Sequence, residues 1–356
     1  MPADKNAGLE PDRLPGLPHP RERHVLFGHE EAEHGFLEAY RAGRLHHAWL
    51  IGGPEGIGKA TLAYRIARFL LEHGGVATRG EGAAGLDVPA ESRTSRLVAG
   101  LAHPGLAVLR RVPGTEKKGP STTIPVDEVR KALQLFGSTA ADGGWRVCIV
   151  DSADDLTAAP ANALLKMVEE PPPRSLFLIL AHRPQQVLPT IRSRCRKLIL
   201  RPLDDPTLAR VIRSLPDPVG TAPDDALATA LRAAEGSARR AIALLDPDRA
   251  ETVTRTERLL ARLPEIDWRG VMALAERVSR KGADEDLALA LETVERWASA
   301  SIAARAGEGA ARLAPLVEVC EKSARAAAEA DVYNLDRRPL VLELFGDLAA
   351  AMRGTT

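Results

Sequence analysis

Aromatic residues are scarce in this sequence: phenylalanine, tryptophan and tyrosine together make up 4% of 356 residues. All-β sandwiches and barrels draw on aromatic and β-branched residues, so this shortage, beside abundant Ala, Leu, Arg and Glu, favours a helix-rich chain. Net charge is missing too, because 48 basic and 48 acidic residues cancel. No overall field draws the chain to nucleic acid or anionic lipid, so any such contact has to come from a local patch or a partner. The three cysteines, Cys148, Cys195 and Cys320, are far apart and odd in number, and no C-x-x-C pair occurs. Reduced thiols in a cytosol are the expectation. No apolar run approaches the ~20 residues of a membrane span, and the N-terminal stretch is polar and proline-rich without an apolar signal core. A cytoplasmic protein without membrane contact is expected. The nine histidines are dispersed without metal-ligand spacing, and the pair His46-His47 stands at a strand entrance, where structural use is the ordinary reading.

What is present centres on Ile51–Thr61, Ile-Gly-Gly-Pro-Glu-Gly-Ile-Gly-Lys-Ala-Thr. Gly53, Gly58 and Lys59 reproduce the Gly-x-x-x-x-Gly-Lys core of a phosphate-binding loop, with Pro54, Glu55, Gly56 and Ile57 between them. An apolar run, Ala48–Ile51, precedes the loop and a helix-period run, Leu62–Leu70, follows it, which is the context the motif needs. Its glycines let several N–H groups converge on one anion, while the following helix offers its positive end and Lys59 a compact cation. Position 60 breaks the pattern. Where such loops carry a Ser or Thr that ligates magnesium, this chain has Ala60, and the hydroxyl of Thr61 is displaced by about a hundred degrees around the helix. The expectation is an altered loop that still holds nucleotide phosphates.

Residues 1–22 include Pro2, Pro11, Pro15, Pro18 and Pro20, too many for a core element, and are expected to form a flexible extension. An amphipathic helix is expected within 26–44, a strand near His103–Arg110 and a helix over Val126–Gly137. Arg110, Arg111, Lys117 and Lys118 form a basic turn, for which a solvated loop outweighs a DNA contact. Residues 145–151 read as a buried strand whose last residue, Asp151, fits the magnesium-directed acid of a nucleotide site. Ser152 follows, where ATPases of this type place a glutamate that activates water. Loss of such a base costs ~10²–10⁴ in rate, so hydrolysis should be feeble or absent. A helix from Thr157 stops at Pro171-Pro172-Pro173, and Leu176–Ala181 is another buried strand. Four β/α alternations argue a parallel, doubly wound sheet.

After Pro202 only helical patterns remain. Asp205 is expected to cap a helix with Pro206 in its first turn, a second helix ends at Gly236, and Ser237 caps a third that carries Arg239. Ion-pair or solvent roles are ordinary for such an arginine; a fixed arginine on a small lid also senses a nucleotide's outer phosphate. Further amphipathic helices fill Thr252–Leu263, Trp268–Ser279, Asp284–Ala304, Ala310–Glu329 and Arg338–Met352, without a cluster of catalytic residue types. The division read from these patterns is an extension (1–22), a nucleotide-binding domain (23–203), a helical lid (204–250) and a helical oligomerisation domain (251–356).

Several stretches together resemble one family. Gly53–Lys59, the strand ending at Asp151, Asn162-Ala-Leu-Leu-Lys166 with Glu169-Glu170-Pro171-Pro172, Ser193-Arg194-Cys195 and Gly236-Ser237-Ala238-Arg239 resemble sliding-clamp loader subunits of the AAA+ class. The resemblance implies an α/β fold of AAA+ type, with a RecA-like parallel sheet plus a helical lid, followed by an all-α collar that closes a hetero-pentameric ring of clamp-loader subunits. It implies ATP as the ligand, the β sliding clamp as a partner, and primed DNA reached through the complex. It also implies that Arg194 acts in trans, as an arginine finger reaching a neighbour's ATP site. Ala60 and Ser152 depart from the motor-subunit pattern and fit a member that binds ATP without efficient hydrolysis; magnesium is left open. Many members insert a four-cysteine zinc module after the loop helix, but residues 71–103 contain no cysteine, so no zinc is expected. The alternative is a self-sufficient motor subunit, against which Ala60 and Ser152 speak.

Overall fold

The computed structural model describes residues 10, 13–74, 85–114, 121, 123–137, 144–280, 282–333 and 335–354. The chain divides into two compact units, Met1–Ile242 and Ala243–Thr356. The first is built on five strands, β1 (Ala48–Gly52), β2 (Leu106–Arg110), β3 (Arg146–Asp151), β4 (Ser175–Ala181) and β5 (Arg196–Ile199), in the order β2-β3-β4-β1-β5. Every pairing is parallel. Its helices are α1 (Glu30–Arg41), α2 (Lys59–His73), α3 (Arg93–Ala99), α4 (Val126–Gly137), α5 (Ala158–Glu169), α6 (Pro189–Arg192), α7 (Asp205–Arg213), α8 (Asp224–Ala234) and the start of α9 (Ala238–Leu244).

Alternation along the strands splits the core into two layers. Trp49, Ile51, Ile149 and Leu178 face one side of the sheet and pack with Phe36 of α1 and Leu62 and Ile66 of α2. Leu50, Val150, Phe177 and Ile179 face the other, with Val129 and Phe136 of α4 and Leu164 and Val168 of α5. Both faces are covered, which is why the central strands read as continuous apolar runs. The parallel sheet expected from the β/α alternation is the one found, with a fifth strand in addition. That strand, β5, lies at the edge and is mostly exposed, so it carries no apolar run to announce it. Arg196 within it sets its guanidinium 4.7 Å from the ring centre of Trp49, its register partner on β1. Helix α3, seven residues within a Gly/Ala-rich stretch, also went unforeseen.

The proline-rich start is a correction. Within 13–22 the chain is packed, not a loose extension: Leu17, His19 and Arg21 are buried. Arg21 donates through Nε to the Ala99 carbonyl (2.8 Å) and through both terminal nitrogens to Glu10 (2.7 and 3.0 Å), which Arg110 also reaches (2.6 Å). Prolines leave the segment a 3-10 turn, Pro20–Glu22, and do not prevent burial; side-chain hydrogen bonds to distant elements do the anchoring. A smaller correction concerns α7, which is capped by Asp204, whose carboxylate accepts the Thr207 N–H (2.9 Å); Asp205 is its first helical residue.

The second unit contains α10 (Pro247–Leu260), α11 (Trp268–Val278), α12 (Asp284–Ala304), α13 (Ala310–Tyr333) and α14 (Arg338–Gly354). Val271, Leu274 and Val278 of α11, Leu287 and Val294 of α12, and Leu344, Phe345 and Leu348 of α14 form its core. No helix among the described residues is long and apolar enough to cross a membrane.

Candidate functional site

The C-terminal ends of the strands gather most of the residues that the sequence marks. Gly52 closes β1 beside Ala181 of β4, and Asp151 closes β3 beside Arg110 of β2. The chain leaves β1 through residues 53–58 and turns into α2, whose N-cap is Gly58 at φ +106°. Gly56, at φ +75°, lies against the lid: a Cβ built there would stand 2.4 Å from Ser237 Oγ and 2.6 Å from Arg239 Cβ. Only a glycine lets the loop and the lid meet at this spacing.

Lys59 is 4% exposed. Its ammonium donates to the carbonyls of Gly53 (2.8 Å) and Pro54 (2.6 Å), two of its three N–H donors. Burial pushes its pKa down to about 8, against the upward pull of the Glu55, Asp151 and Asp154 carboxylates. The loop therefore stores a desolvated cation beneath the first turn of a helix, where an anion gains most from it.

Residues 237–239, at the start of α9, reach the loop through three polar contacts. Ser237 Oγ donates to the Glu55 carbonyl (2.9 Å), the Ala238 N–H donates to the Gly56 carbonyl (2.9 Å), and Arg239 Nε lies 3.2 Å from Glu55 Oε1. Ser237 Oγ also accepts the Arg240 N–H (3.3 Å), so one hydroxyl caps α9 and ties it to the loop. Arg239 thus takes an ion pair with the loop and also faces the cavity beside it.

That cavity, of about 210 Å³, is floored by Glu55–Thr61, Asp151, His182 and Arg239 and walled by Leu17, Leu26, Phe27 and Leu203. Polar floor and apolar wall suit an anionic group attached to a flat apolar body. Sequence reasoning missed the wall supplied by the N-terminal segment. The available signal was the apolar residues set among its prolines, Leu14 and Leu17, and those just after them, Leu26 and Phe27.

On the metal side the cavity is poor. Ala60 presents a methyl, and Ser152, 3% exposed, directs its hydroxyl to Asp155 Oδ2 (3.4 Å). Asp154 is committed to the end of β4, accepting the N–H groups of His182 (2.7 Å) and Arg183 (3.0 Å).

Arg194 is not among the residues that line the cavity. It follows α6, 40% exposed, with Nη2 2.8 Å from Glu169 Oε1 and Nη1 donating to the Thr190 carbonyl (3.0 Å). The structure thus collects Glu55–Thr61, Asp151 and Arg239 around one cavity, sets Gly53 and Pro54 behind Lys59, and leaves Arg194 elsewhere on the surface of the unit. In the basic turn, Arg110 is held by Glu10 and Arg111 Nε lies 3.6 Å from Asp155, while Lys117 and Lys118 lie outside the described residues. His47 pairs Nε2 with the Val168 carbonyl (2.9 Å), a structural use.

Comparison with known proteins shows what the chain is similar to. Residues 28–204 match the family model described as DNA polymerase III, delta subunit. The DNA polymerase III subunit delta' of Escherichia coli K12 is 35% identical over 238 residues, 67% of this chain and 66% of the relative. That of Pseudomonas aeruginosa is 36% identical over 183 residues, 51% of this chain and 52% of the relative. The DNA polymerase III subunit gamma/tau of Mycobacterium tuberculosis H37Rv is 31% identical over 225 residues, 62% of this chain and 36% of the relative. The matches therefore span about two thirds and half of the lengths of the two delta' relatives. On the matching model and these relatives, the chain belongs to the delta-prime family of DNA polymerase III subunits, within the clamp-loader group that its motifs resemble.

Proposed function

We propose that this chain is a non-catalytic or weakly catalytic subunit of a hetero-pentameric clamp loader, working in the cytoplasm, that helps place the β sliding clamp on primed DNA. Its contribution to turnover is Arg194, presented in trans to a neighbouring subunit's ATP site. The observation that carries this reading is the contrast around one cavity. A buried lysine and a helix N-terminus are kept for phosphate, while the positions that would hold magnesium and activate water are Ala60 and Ser152.

The residues present fit a phosphate group better than a metal. Backbone N–H groups of 56–60, Lys59 and Arg239 would hold a triphosphate, and Asp151, which also lines the cavity, is the carboxylate that would face a cation. A bound nucleotide supplies the negative charge that would join the loop to the lid. At about 210 Å³ the cavity is smaller than the ~300–1,000 Å³ of ordinary ligand sites, so it suits the phosphate end of a nucleotide with the remainder extending beyond it.

Arg194 suits its role because a guanidinium stays charged at any working pH and offers donors in a planar fork to phosphate oxygens. Fingers of this kind supply ~10³–10⁵ in rate. In a reconstituted loader, Arg194→Ala should lower DNA- and clamp-stimulated ATPase at least about a hundredfold, while the ring still assembles on gel filtration. Unchanged turnover would refute the finger. Brisk magnesium-dependent hydrolysis by the isolated chain, abolished by Lys59→Ala, would instead identify a motor subunit.

A further inference from the structure

Glu169 ends α5, and Glu170 is the C-cap of that helix. A carboxylate at a helix C-terminus faces the negative end of the macrodipole, an unfavourable place unless a cation answers it. Here the cation is Arg194, twenty-five residues on in the chain, with Nη2 2.8 Å from Glu169 Oε1. On its other terminal nitrogen Arg194 donates to the Thr190 carbonyl (3.0 Å) and to Ser193 Oγ (3.4 Å). Three of the five N–H donors of the guanidinium are thereby used by its own chain, and two are left for an outside acceptor. Glu169 and Arg194 are 39% and 40% exposed, so the pair lies at the surface where a partner can reach it.

Resting on the reading of Arg194 as a finger, we propose that Glu169 is its positioning residue: it fixes the guanidinium on one edge so that the other edge is already aimed when a neighbour's phosphate arrives. An untethered arginine has to give up its rotamer freedom at the moment of contact; one held by a carboxylate and a backbone carbonyl has given it up beforehand. Tethering of this kind acts on turnover and leaves nucleotide affinity at the neighbour's site alone, because Glu169 contacts the finger and not the nucleotide.

The test uses the reconstituted loader with primed DNA and clamp, measuring steady-state ATPase for Glu169→Ala, Glu169→Gln, Arg194→Ala and the double variant Glu169→Ala/Arg194→Ala. Gel filtration and thermal melting establish that each ring assembles and each chain folds. The expected result is a drop in kcat of about fivefold for Glu169→Ala with KM unchanged, the size of a half-exposed ion pair near the top of its usual range. Glu169→Gln, whose amide oxygen still accepts, should stay within twofold of wild type. In the Arg194→Ala background the Glu169→Ala effect should vanish, as it must if the two act as one unit. Wild-type kcat for Glu169→Ala beside an impaired Arg194→Ala overturns the positioning role alone, as does a Glu169→Ala loss that persists without the arginine or that glutamine fails to rescue. Wild-type kcat for Arg194→Ala removes the finger and this inference together.

Discussion

Replacing Gly56 with alanine tests whether the phosphate loop and the lid are joined as the structure shows. At φ +75° an L side chain is strained by about 1–2 kcal/mol. The new methyl would also stand 2.4 Å from Ser237 Oγ and 2.6 Å from Arg239 Cβ. Ser237 can turn its hydroxyl away, but that forfeits its hydrogen bond to the Glu55 carbonyl, about 1 kcal/mol. Arg239 Cβ is fixed to the backbone, so α9 itself has to move, an overpacking cost of about 1–3 kcal/mol. The sum, about 3–6 kcal/mol, is capped by release: once α9 lifts off, only its docking contacts are lost. We expect a loss of about 2–4 kcal/mol in denaturant titration, with faster amide exchange confined first to residues 237–242. Gly35→Ala is the control, since Gly35 lies within α1 with open space where the methyl would go. There the same substitution should stabilise by about 0.5–1 kcal/mol. If Gly56→Ala stays within about 0.5 kcal/mol of wild type and exchange at 237–242 is unchanged, the loop and lid are not held together in the way described.

Other expectations follow from the same contacts. The Lys59 pKa of about 8 means that charge for phosphate is lost as pH rises through that value, so ATP affinity, read by titration calorimetry, should weaken about tenfold between pH 7 and pH 9. Lys59→Arg should flatten that dependence, and an equally steep decline in the arginine variant would assign it to another group. Between about pH 8 and the ordinary lysine value the unfolded chain binds the extra proton, so this residue makes stability rise with pH in that window. Glu10 is shifted in the same direction and likewise makes stability rise with pH, at the acid end. Burial alone would raise its pKa, but hydrogen bonds and charge from Arg21 and Arg110 hold it at about 2. Its contribution is complete above the ordinary carboxylate value and is lost as pH falls toward 2. Glu10→Gln should remove that part of the acid dependence in thermal melts, and an unaltered pH profile would contradict the anchoring of the N-terminal segment. Finally, Ala60→Thr combined with Ser152→Glu restores a magnesium hydroxyl and a water-directing carboxylate. Magnesium-dependent ATPase of the isolated chain should rise at least tenfold, and no rise would mean that more than these two groups is missing.

Some of this was legible because it is local. The central strands announce themselves as apolar runs since both faces of the sheet are covered, and α4 and α12 are found where the three- and four-residue spacing of apolar positions puts them. The turn at 53–58 was legible because a tight glycine turn between strand and helix is a property of consecutive residues. Edge strand β5 was not, because an exposed strand needs no apolar pattern. Nor was the packing of 13–22, which depends on Arg21 reaching Ala99 and Arg110 reaching Glu10, partners 78 and 100 positions away.

The amino-acid sequence by itself determined that a Gly-x-x-x-x-Gly-Lys turn joins a strand to a helix, that Ala60 follows its lysine and Ser152 follows the acid that ends a strand, and that a helix-rich remainder follows a parallel sheet. Each is a statement about residue type and short-range spacing, which covalent connectivity already settles. Only the tertiary structure decided that Ser237, 182 residues from Glu55, closes on the loop together with Arg239, that the proline-rich start walls the cavity, and that Arg194 is held by Glu169 away from the cavity of its own chain. Those are choices among many partners of the same charge or polarity, and it is the packing of the folded chain, not the identity of the residues, that makes one of them near enough to win.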